Sequence, residues 1–213
     1  MKVFQFIFLV LYLVIPLNLL PQERGLPVIK NYTTQEYNGA PQVFGITQDN
    51  RGVMYFACGS TIQEFDGVTW RSIPNKNQKT FIDFAKDKNG RIYVTAVDDF
   101  GVIKFDSSGN SYFHSLANLI TDTIKLGFVW SVKLTANMAF FLTYDAIIQY
   151  CPENDNILVI SAKPDDGFLD GFVFNNELYV QYEKGGLVKF VDGKLEQANA
   201  SSFFEEKNYF RTA

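Results

Sequence analysis

Residue types that often build catalytic or metal centres are almost absent from this chain of 213 residues. It has two cysteines, Cys58 and Cys151, and one histidine, His114. The repeats described below predict Cys58 on the third strand of one repeat and Cys151 at the end of a fourth strand two repeats later. We therefore expect two buried free thiols rather than a disulfide. These residues also lack the spacing of metal ligands, so we expect no metal site and no cofactor.

An excess of positive charge is also absent. The net charge is −4 and the isoelectric point is near 5.0. Phosphate neutralisation on nucleic acid needs a basic stripe, so this segment is not expected to bind nucleic acid. The chain has only 7 prolines but 16% aromatic residues, which indicates a folded, β-rich protein rather than a disordered one.

The chain has one long apolar run, Val3 to Leu20, which follows a single Lys2. A positive charge, an apolar core and a polar exit are typical of a secretory signal peptide. The run also approaches the length of a membrane span, so residues 1–22 are predicted to be a signal peptide or an uncleaved anchor. A buried core helix is the third interpretation. Both of the first two place the rest of the chain outside the cytoplasm, in the periplasm or cell envelope.

A repeat of about 40 residues is the strongest pattern in the sequence. Each copy has short strand-like runs that are joined by turn sequences such as Asp49–Gly52 and Asp87–Gly90. The third copy has Thr135–Met138 in place of this turn. The aligned aromatic residue of each copy is Tyr55, Tyr93, Phe140 or Tyr179. The copies are predicted to span residues 41–73, 80–115, 128–161 and 168–198.

Four strands in each repeat is the strand content of a β-propeller blade. A β-sandwich would not repeat the same turn order at one period, and a helical solenoid would need a period of 3.6 residues. We therefore predict an all-β fold, a β-propeller of about four four-stranded blades over residues 23–213. Four blades either close a ring or form part of a larger one; we expect an incomplete ring and a C-terminal truncation.

Three stretches of the sequence resemble the two-component-regulator propeller sensors: Gly25–Tyr32, Gln42–Phe56 and Phe65–Trp70. The resemblance is good over residues 25–106, weaker over 131–150 and moderate over 171–193. It implies a periplasmic propeller that is followed by a sandwich domain, a transmembrane helix and an output domain. That output is a histidine kinase, a helix-turn-helix regulator, a nucleotide cyclase or a phosphatase. Further implied partners are a ligand and a second copy of the chain in a homodimer.

No catalytic motif accompanies the repeats: the nucleophile elbow, the phosphate-binding loop and the dinucleotide fingerprint are all missing. The pairs Asp98–Asp99 and Asp165–Asp166 are chemically suited to glycoside hydrolysis or Ca²⁺ binding. Because both pairs precede or adjoin glycines, we interpret them as solvated turn residues, and Asp145 likewise. Five further aspartates recur in the repeats and are interpreted as architectural: Asp49, Asp66, Asp87, Asp106 and Asp192. We predict no catalytic residue.

Aromatic side chains are the remaining candidates for ligand binding. On blade strands they usually fill the wedge between sheets, which is the expectation for Trp70, Phe128 and Tyr112. Phe100 and Tyr144 are predicted in loops between third and fourth strands, and Trp130 just before a strand. These three, Phe100, Trp130 and Tyr144, are the predicted ligand-facing residues.

The sequence thus favours a non-catalytic input domain of an envelope signalling protein that recognises a small molecule or glycan. Two alternatives stay open: an exported propeller enzyme that acts on polysaccharide as a lyase or glycosidase, and a structural propeller that binds proteins.

Overall fold

The computed structural model describes residues 29–120 and 124–198. The chain divides into two compact units, Met1–Tyr32 and Thr33–Ala213, and only residues 29–32 of the first are described. The predicted signal peptide or anchor, residues 1–22, lies outside the described residues. No helix in the described ranges combines the length and apolar character that a bilayer span requires.

Four antiparallel sheets of four strands account for most of the described residues in the second unit. Sheet 1 contains β1 (Ile46–Gln48), β2 (Met54–Cys58), β3 (Thr61–Phe65) and β4 (Trp70–Pro74). Sheet 2 contains β5 (Phe81–Lys86), β6 (Ile92–Ala96), β7 (Asp99–Phe105) and β8 (Ser111–Ser115). Sheet 3 contains β9 (Ser131–Leu134), β10 (Ala139–Leu142), β11 (Ala146–Cys151) and β12 (Asn156–Ser161). Sheet 4 contains β13 (Phe168–Phe174), β14 (Glu177–Tyr182), β15 (Leu187–Val191) and β16 (Lys194–Gln197).

Every sheet is a meander in which consecutive strands are neighbours. Tight turns make this order possible, because Gly52 and Gly90 adopt positive φ angles of 88° and 84° that residues with a Cβ disfavour. The first strands of successive sheets, β1, β5, β9 and β13, contact one another in that order. Sheets that share an inner line of first strands in this way have the arrangement of propeller blades, and no described sheet closes on itself.

The two ends of the sheets therefore carry different connections. Turns between first and second strands and between third and fourth strands lie at one end, which we call the turn end. Turns between second and third strands lie at the other, the connection end, together with the links from one sheet to the next. One such link includes a 3-10 turn, Ala117–Leu119.

Apolar side chains fill the space between adjacent sheets in three clusters. The cluster between sheets 1 and 2 includes Tyr55, Ile62, Phe81 and Phe113. The clusters between sheets 2 and 3 and between sheets 3 and 4 include Tyr93, Phe100, Phe141, Phe140, Leu142 and Phe168. Aromatic residues thus hold the blades together, but the expected wedge packing is wrong for Phe128 and Tyr112, which are 52% and 41% exposed. Trp70 is half-buried and stacks on Phe65 of its own sheet, with ring centroids 4.4 Å apart.

A short helix, α1 (Thr34–Tyr37), precedes sheet 1 and contacts β4. Thr33 and Glu36 form a capping box at its start. The buried Gln63 donates to the Asn38 carbonyl, 3.1 Å away, and accepts from the Ser72 hydroxyl at 2.8 Å. The segment after α1 therefore satisfies a buried amide of sheet 1.

Both cysteines are free, as predicted. Their predicted strands were wrong by one position: Cys58 ends the second strand of sheet 1 and Cys151 ends the third strand of sheet 3. Both cysteines lie one strand earlier than predicted. The strand that precedes the first turn of a sheet is its first strand, so the strand that follows this turn is the second and not the third. Cys58 is buried, whereas Cys151 is half-buried rather than buried.

Candidate functional site

The turn end is built around repeated aspartates. In sheet 1, one oxygen of Asp49 accepts from the Arg51 N–H at 2.8 Å and the Val53 N–H at 2.9 Å. Its other oxygen accepts from the Arg51 guanidinium at 2.8 Å and the Tyr55 hydroxyl at 3.3 Å. Burial alone would raise the pKa of Asp49, but these donors outweigh it and hold the pKa below its usual value.

Sheet 2 repeats this arrangement. Asp87 accepts from the Asn89 and Arg91 N–H groups at 2.8 and 2.9 Å, and from the Arg91 guanidinium and Tyr93 hydroxyl at 3.0 and 3.4 Å. Asp66 and Asp106 likewise accept backbone N–H groups of their own turns. The interpretation of these four aspartates as architectural is confirmed. Asp192 also lies in a turn, with a φ of 45°.

Sheet 3 lacks this network. Phe140 replaces the tyrosine, and the turn from Thr135 to Met138 contains no carboxylate. Its Ala136 N–H donates instead to the Asn176 side chain of sheet 4, at 2.5 Å. In sheet 3 the aspartate and the tyrosine hydroxyl are therefore absent together, whereas sheet 4 keeps Tyr179 without a turn aspartate and its hydroxyl donates to Glu177 at 3.2 Å.

Two of the predicted ligand-facing residues pack against the apolar clusters. Phe100 is fully buried within β7, where its ring packs against Phe141 at 4.5 Å, so the prediction that it lies in an exposed loop is wrong. Trp130 directly precedes β9 as predicted, but it is half-buried and packs against the cluster between sheets 3 and 4. For Phe100, the alternation of side chains along β7 turns the ring towards sheet 3.

Tyr144 is exposed at the connection end, with 45% of its surface accessible. It lies in the turn between the second and third strands of sheet 3, not between the third and fourth strands as predicted. Its ring lies against Gly167, where an added Cβ would come within 2.4 Å of ring atoms. Its hydroxyl donates to the Glu183 carboxylate, and this bond raises the pKa of Tyr144. The three predicted residues thus lie in three separate environments, and a ligand role for Tyr144 stays a prediction.

The two members of the Asp98–Asp99 pair have opposite surroundings. Asp98 is an exposed turn residue, as expected, and pairs with Lys79 at 3.0 Å. Asp99 is only 2% exposed, so its interpretation as a solvated turn residue is wrong. As the first residue of β7 it points into the space between sheets 1 and 2, where it accepts from the Ser115 hydroxyl at 2.6 Å. Asp165 is exposed and Asp166 half-buried in the link before β13.

A cleft of about 290 Å³ opens beside Asp99, between the outer strands of sheets 1 and 2 at the connection end. Asn75, which directly follows β4, forms part of its wall and is 4% exposed. Its side-chain oxygen accepts from the Asn77 N–H at 3.0 Å. Among the described residues, its side-chain Nδ2 has no hydrogen-bond partner. The remaining lining residues are Lys76, Asn77, Tyr112, Phe113, His114, Ser115 and Asn118.

The electrostatics of this cleft differ from those of the turn end. Burial raises the pKa of Asp99, and the bonds from Ser115 and the Phe100 N–H offset this only in part. Burial also lowers the pKa of the His114 imidazole, with a smaller contribution from Lys104. Each buried side chain here therefore favours its neutral form, in a cleft that is open to solvent.

Sequence reasoning missed Asn75 and Asp99 as site residues, although one signal for Asp99 was present. The third strands of sheets 1 to 4 begin at Thr61, Asp99, Ala146 and Leu187. Among the described sheets, only sheet 2 thus has a carboxylate at the start of its third strand. A role that occurs in one blade only is a better mark of a specific site than a role that recurs.

Catalytic and metal chemistry find little support in the described ranges. Residues 29–120 and 124–198 contain no group of three or more His, Cys, Asp or Glu side chains placed to hold a metal ion. Asp98 faces Lys79 and the Gly127 N–H, whereas Asp99 faces Ser115. The two carboxylates therefore do not converge on one point as the acid and base of a glycosidase would.

Comparison with solved structures identifies the fold. The extracellular domain of the hybrid two-component system BT4673 from B. thetaiotaomicron superposes with a TM-score of 0.58 at 14% identity, over 73% of this chain and 22% of that one. The corresponding domain of BT3049 gives 0.55 at 14% identity, over 79% and 26%. YCF48 from Cyanidioschyzon merolae gives 0.51 at 12% identity, over 71% and 51%. The chain thus spans only about a quarter of the two extracellular domains.

The sequence matches no protein-family model and no curated protein. At these identities the structural matches establish the fold and not the activity. The predicted β-propeller is confirmed, and the resemblance to two-component propeller sensors is confirmed as a likeness of fold to the extracellular domains of such systems.

Proposed function

We propose that this chain is an extracytoplasmic input segment of a membrane signalling protein and that it recognises a ligand without chemical turnover. The observation that carries the proposal is the likeness of its four successive blades to the extracellular domains of BT4673 and BT3049. Lys2 and the apolar run Val3–Leu20 support export, as a signal peptide or as an anchor.

The proposed mechanism of signalling is mechanical. Blades that pack through apolar clusters form stiff units, so a ligand held between two of them changes the relative stability of blade arrangements rather than a covalent bond. We propose that downstream signalling domains of the same polypeptide, a histidine kinase or a related regulator, receive this change, with a homodimer as the responding assembly.

Export is tested by a fusion of alkaline phosphatase, which is active only outside the cytoplasm, to the end of the chain. We expect strong phosphatase activity in cells, and loss of that activity when residues 2–22 are deleted. A fusion that is expressed but inactive would refute the extracytoplasmic location.

Signalling is tested in the organism with the complete gene. One strain lacks the codons for Lys2–Gln22, and a second strain lacks the codons for sheets 1 and 2. Both strains should lose ligand-dependent transcription of the regulated genes. Unchanged regulation in both strains would exclude the input role.

A further inference from the structure

Sheet 4 is the last sheet that the structure describes, and one of its faces points away from sheet 3. Val180 of β14 and Val188 of β15 pack in the cluster between sheets 3 and 4. Because neighbouring residues of a strand point to opposite faces, the paired residues Gln181 and Leu187 point away from sheet 3. We call this side the outer face of sheet 4. The described residues end at Ala198, just after β16, and contain no fifth sheet.

Burial on the outer face is uneven. Phe172 and Phe174 of β13 lie on it near the turn end and are 40% and 59% exposed. Gln181 and Leu187 lie on it near the connection end and are only 2% and 3% exposed. Leu187 does not belong to the cluster against sheet 3. Large apolar side chains on a face that sheet 3 does not cover are typical of a packing surface.

The links between sheets bring a phenylalanine to the same place twice. Phe81 and Phe168 begin the first strands of sheets 2 and 4, each seven positions after the last residue of the preceding fourth strand. Both side chains are buried, with exposures of 0% and 1%. The link to sheet 3 is longer. Seven positions after Gln197, the last residue of β16, the sequence has Phe204.

A hydrogen bond to the preceding sheet fixes each of these two phenylalanines. The Phe81 N–H donates to the Gly59 carbonyl, and the Phe168 N–H donates to the Tyr144 carbonyl, both at 2.8 Å. Both acceptors lie in the turn between the second and third strands of the preceding sheet, and both rings join the apolar cluster with that sheet. In sheet 4 the corresponding turn is residues 183–186, at the buried end of the outer face.

We propose that residues 199–213, which lie outside the described residues, pack on the outer face of sheet 4. Phe204 takes the position of Phe81 and Phe168: its ring packs on Leu187, and its N–H donates to a carbonyl of the turn 183–186. The segment begins beside this end, since the Ala198 N–H donates to the Leu187 carbonyl at 2.9 Å. Four of its fifteen residues are aromatic, which suits a face that exposes two phenylalanine rings.

A double-mutant cycle in the full chain tests the contact between Phe204 and Leu187. Phe204→Ala should raise the equilibrium constant for unfolding by about tenfold or more in urea denaturation, because a buried ring is lost. With Leu187→Ala, the combined effect should be smaller than the product of the two single effects by about threefold or more, because side chains in contact do not act independently.

Two variants serve as matched controls. Leu178 is as buried as Leu187 but faces sheet 3, so Leu178→Ala should combine with Phe204→Ala without coupling. Phe203→Ala removes the neighbouring ring and should change the equilibrium constant clearly less than Phe204→Ala. Leu187→Val, which removes less volume, replaces Leu187→Ala in the cycle if that variant does not fold; circular dichroism reports the fold.

The proposal is wrong if Phe204→Ala leaves the unfolding equilibrium unchanged, or if Phe204 couples to Leu178 as strongly as to Leu187. An equal effect of Phe203→Ala would also refute it. A dimer in sedimentation velocity that Phe174→Ser dissociates would assign the outer face to a second copy of the chain instead. Because these measurements report stability and association alone, their failure leaves the proposed sensor role untouched.

Discussion

Sheets 1 and 2 enclose a buried carboxylate at each end, and the two differ in every neighbour. Asp49 at the turn end is 8% exposed and receives two backbone N–H groups, a guanidinium and a tyrosine hydroxyl. Asp99 at the connection end is 2% exposed and receives one hydroxyl and one N–H. Their pKa values accordingly move in opposite directions, down for Asp49 and up for Asp99.

Asp49 in its charged form therefore stabilises the fold, whereas burial of Asp99 in its charged form costs folding free energy. The Asp49 network recurs at Asp87 with the same partners, whereas the surroundings of Asp99 occur once among the described sheets. Groups that lower stability without a repeated structural role are typical of binding sites. The contrast between the two ends therefore marks the connection end as the place where a buried carboxylate has no repeated structural role among the described sheets.

The largest effect is expected for the turn end. Asp49→Ala removes the acceptor of four hydrogen bonds and should lower the free energy of unfolding by about 2 kcal/mol, the scale of buried hydrogen bonds to a charged group. Urea denaturation measures this loss. Asp66→Ala, in an exposed turn of the same sheet, should lower the free energy of unfolding by clearly less. An equal loss of unfolding free energy in the two variants would show that the burial of Asp49 does not strengthen its hydrogen bonds.

A smaller effect is expected for the tyrosine hydroxyl that binds the turn aspartate. Tyr93→Phe should lower the free energy of unfolding by about 1 kcal/mol, since one hydrogen bond is lost. The reverse change in sheet 3, Phe140→Tyr, should also destabilise, because it buries a hydroxyl where the turn offers no carboxylate. A stabilising Phe140→Tyr, again by urea denaturation, would contradict the coupling of aspartate and tyrosine.

The smallest change is expected for Asn75. Because its Nδ2 has no partner in the described structure, Asn75→Ser should alter the free energy of unfolding by no more than about 0.5 kcal/mol. Gln63→Ser is the matched comparison, since Gln63 is a buried amide whose nitrogen and oxygen are both bonded. Thermal unfolding should show a larger loss for Gln63→Ser. Equal losses would mean that Asn75 is a structural amide.

The repeats predicted the blades well because turn chemistry is local. Asp49–Gly52 and Asp87–Gly90 contain the acceptor and the flexible glycine that their turns need, so the turns and the strands around them could be read from the sequence. The clustering of Tyr55 and Tyr93 between sheets followed from the same alignment.

The candidate site was not predictable in the same way, because it depends on which face each residue takes. Asp98 and Asp99 are adjacent, but Asp98 lies in the turn with a φ of 50° and is exposed, whereas Asp99 begins β7 and is buried. Phe100 was misplaced because the sequence does not show that β7 already begins at Asp99. Asn75 lies outside the repeated motif, and only the packing of sheet 1 on sheet 2 brings it to the same cleft as Asp99.

The pH dependence of stability tests the contrast between the two ends most directly. An unfolded aspartate titrates at about pH 3.9. The lowered pKa of Asp49 stabilises the fold above that pH, and this contribution is lost on acidification. The raised pKa of Asp99 has the opposite sign: the wild type loses stability as the pH rises from the unfolded value through the folded one.

The decisive measurement is therefore the free energy of unfolding in urea for wild type, Asp49→Asn and Asp99→Asn, from about pH 2 to pH 8. Relative to wild type, Asp49→Asn should be less stable at pH 8, and this difference should shrink only below about pH 4. Asp99→Asn should gain stability relative to wild type as the pH rises. A loss in Asp99→Asn at pH 8 as large as that in Asp49→Asn would contradict the account, since both ends would then serve the fold alike.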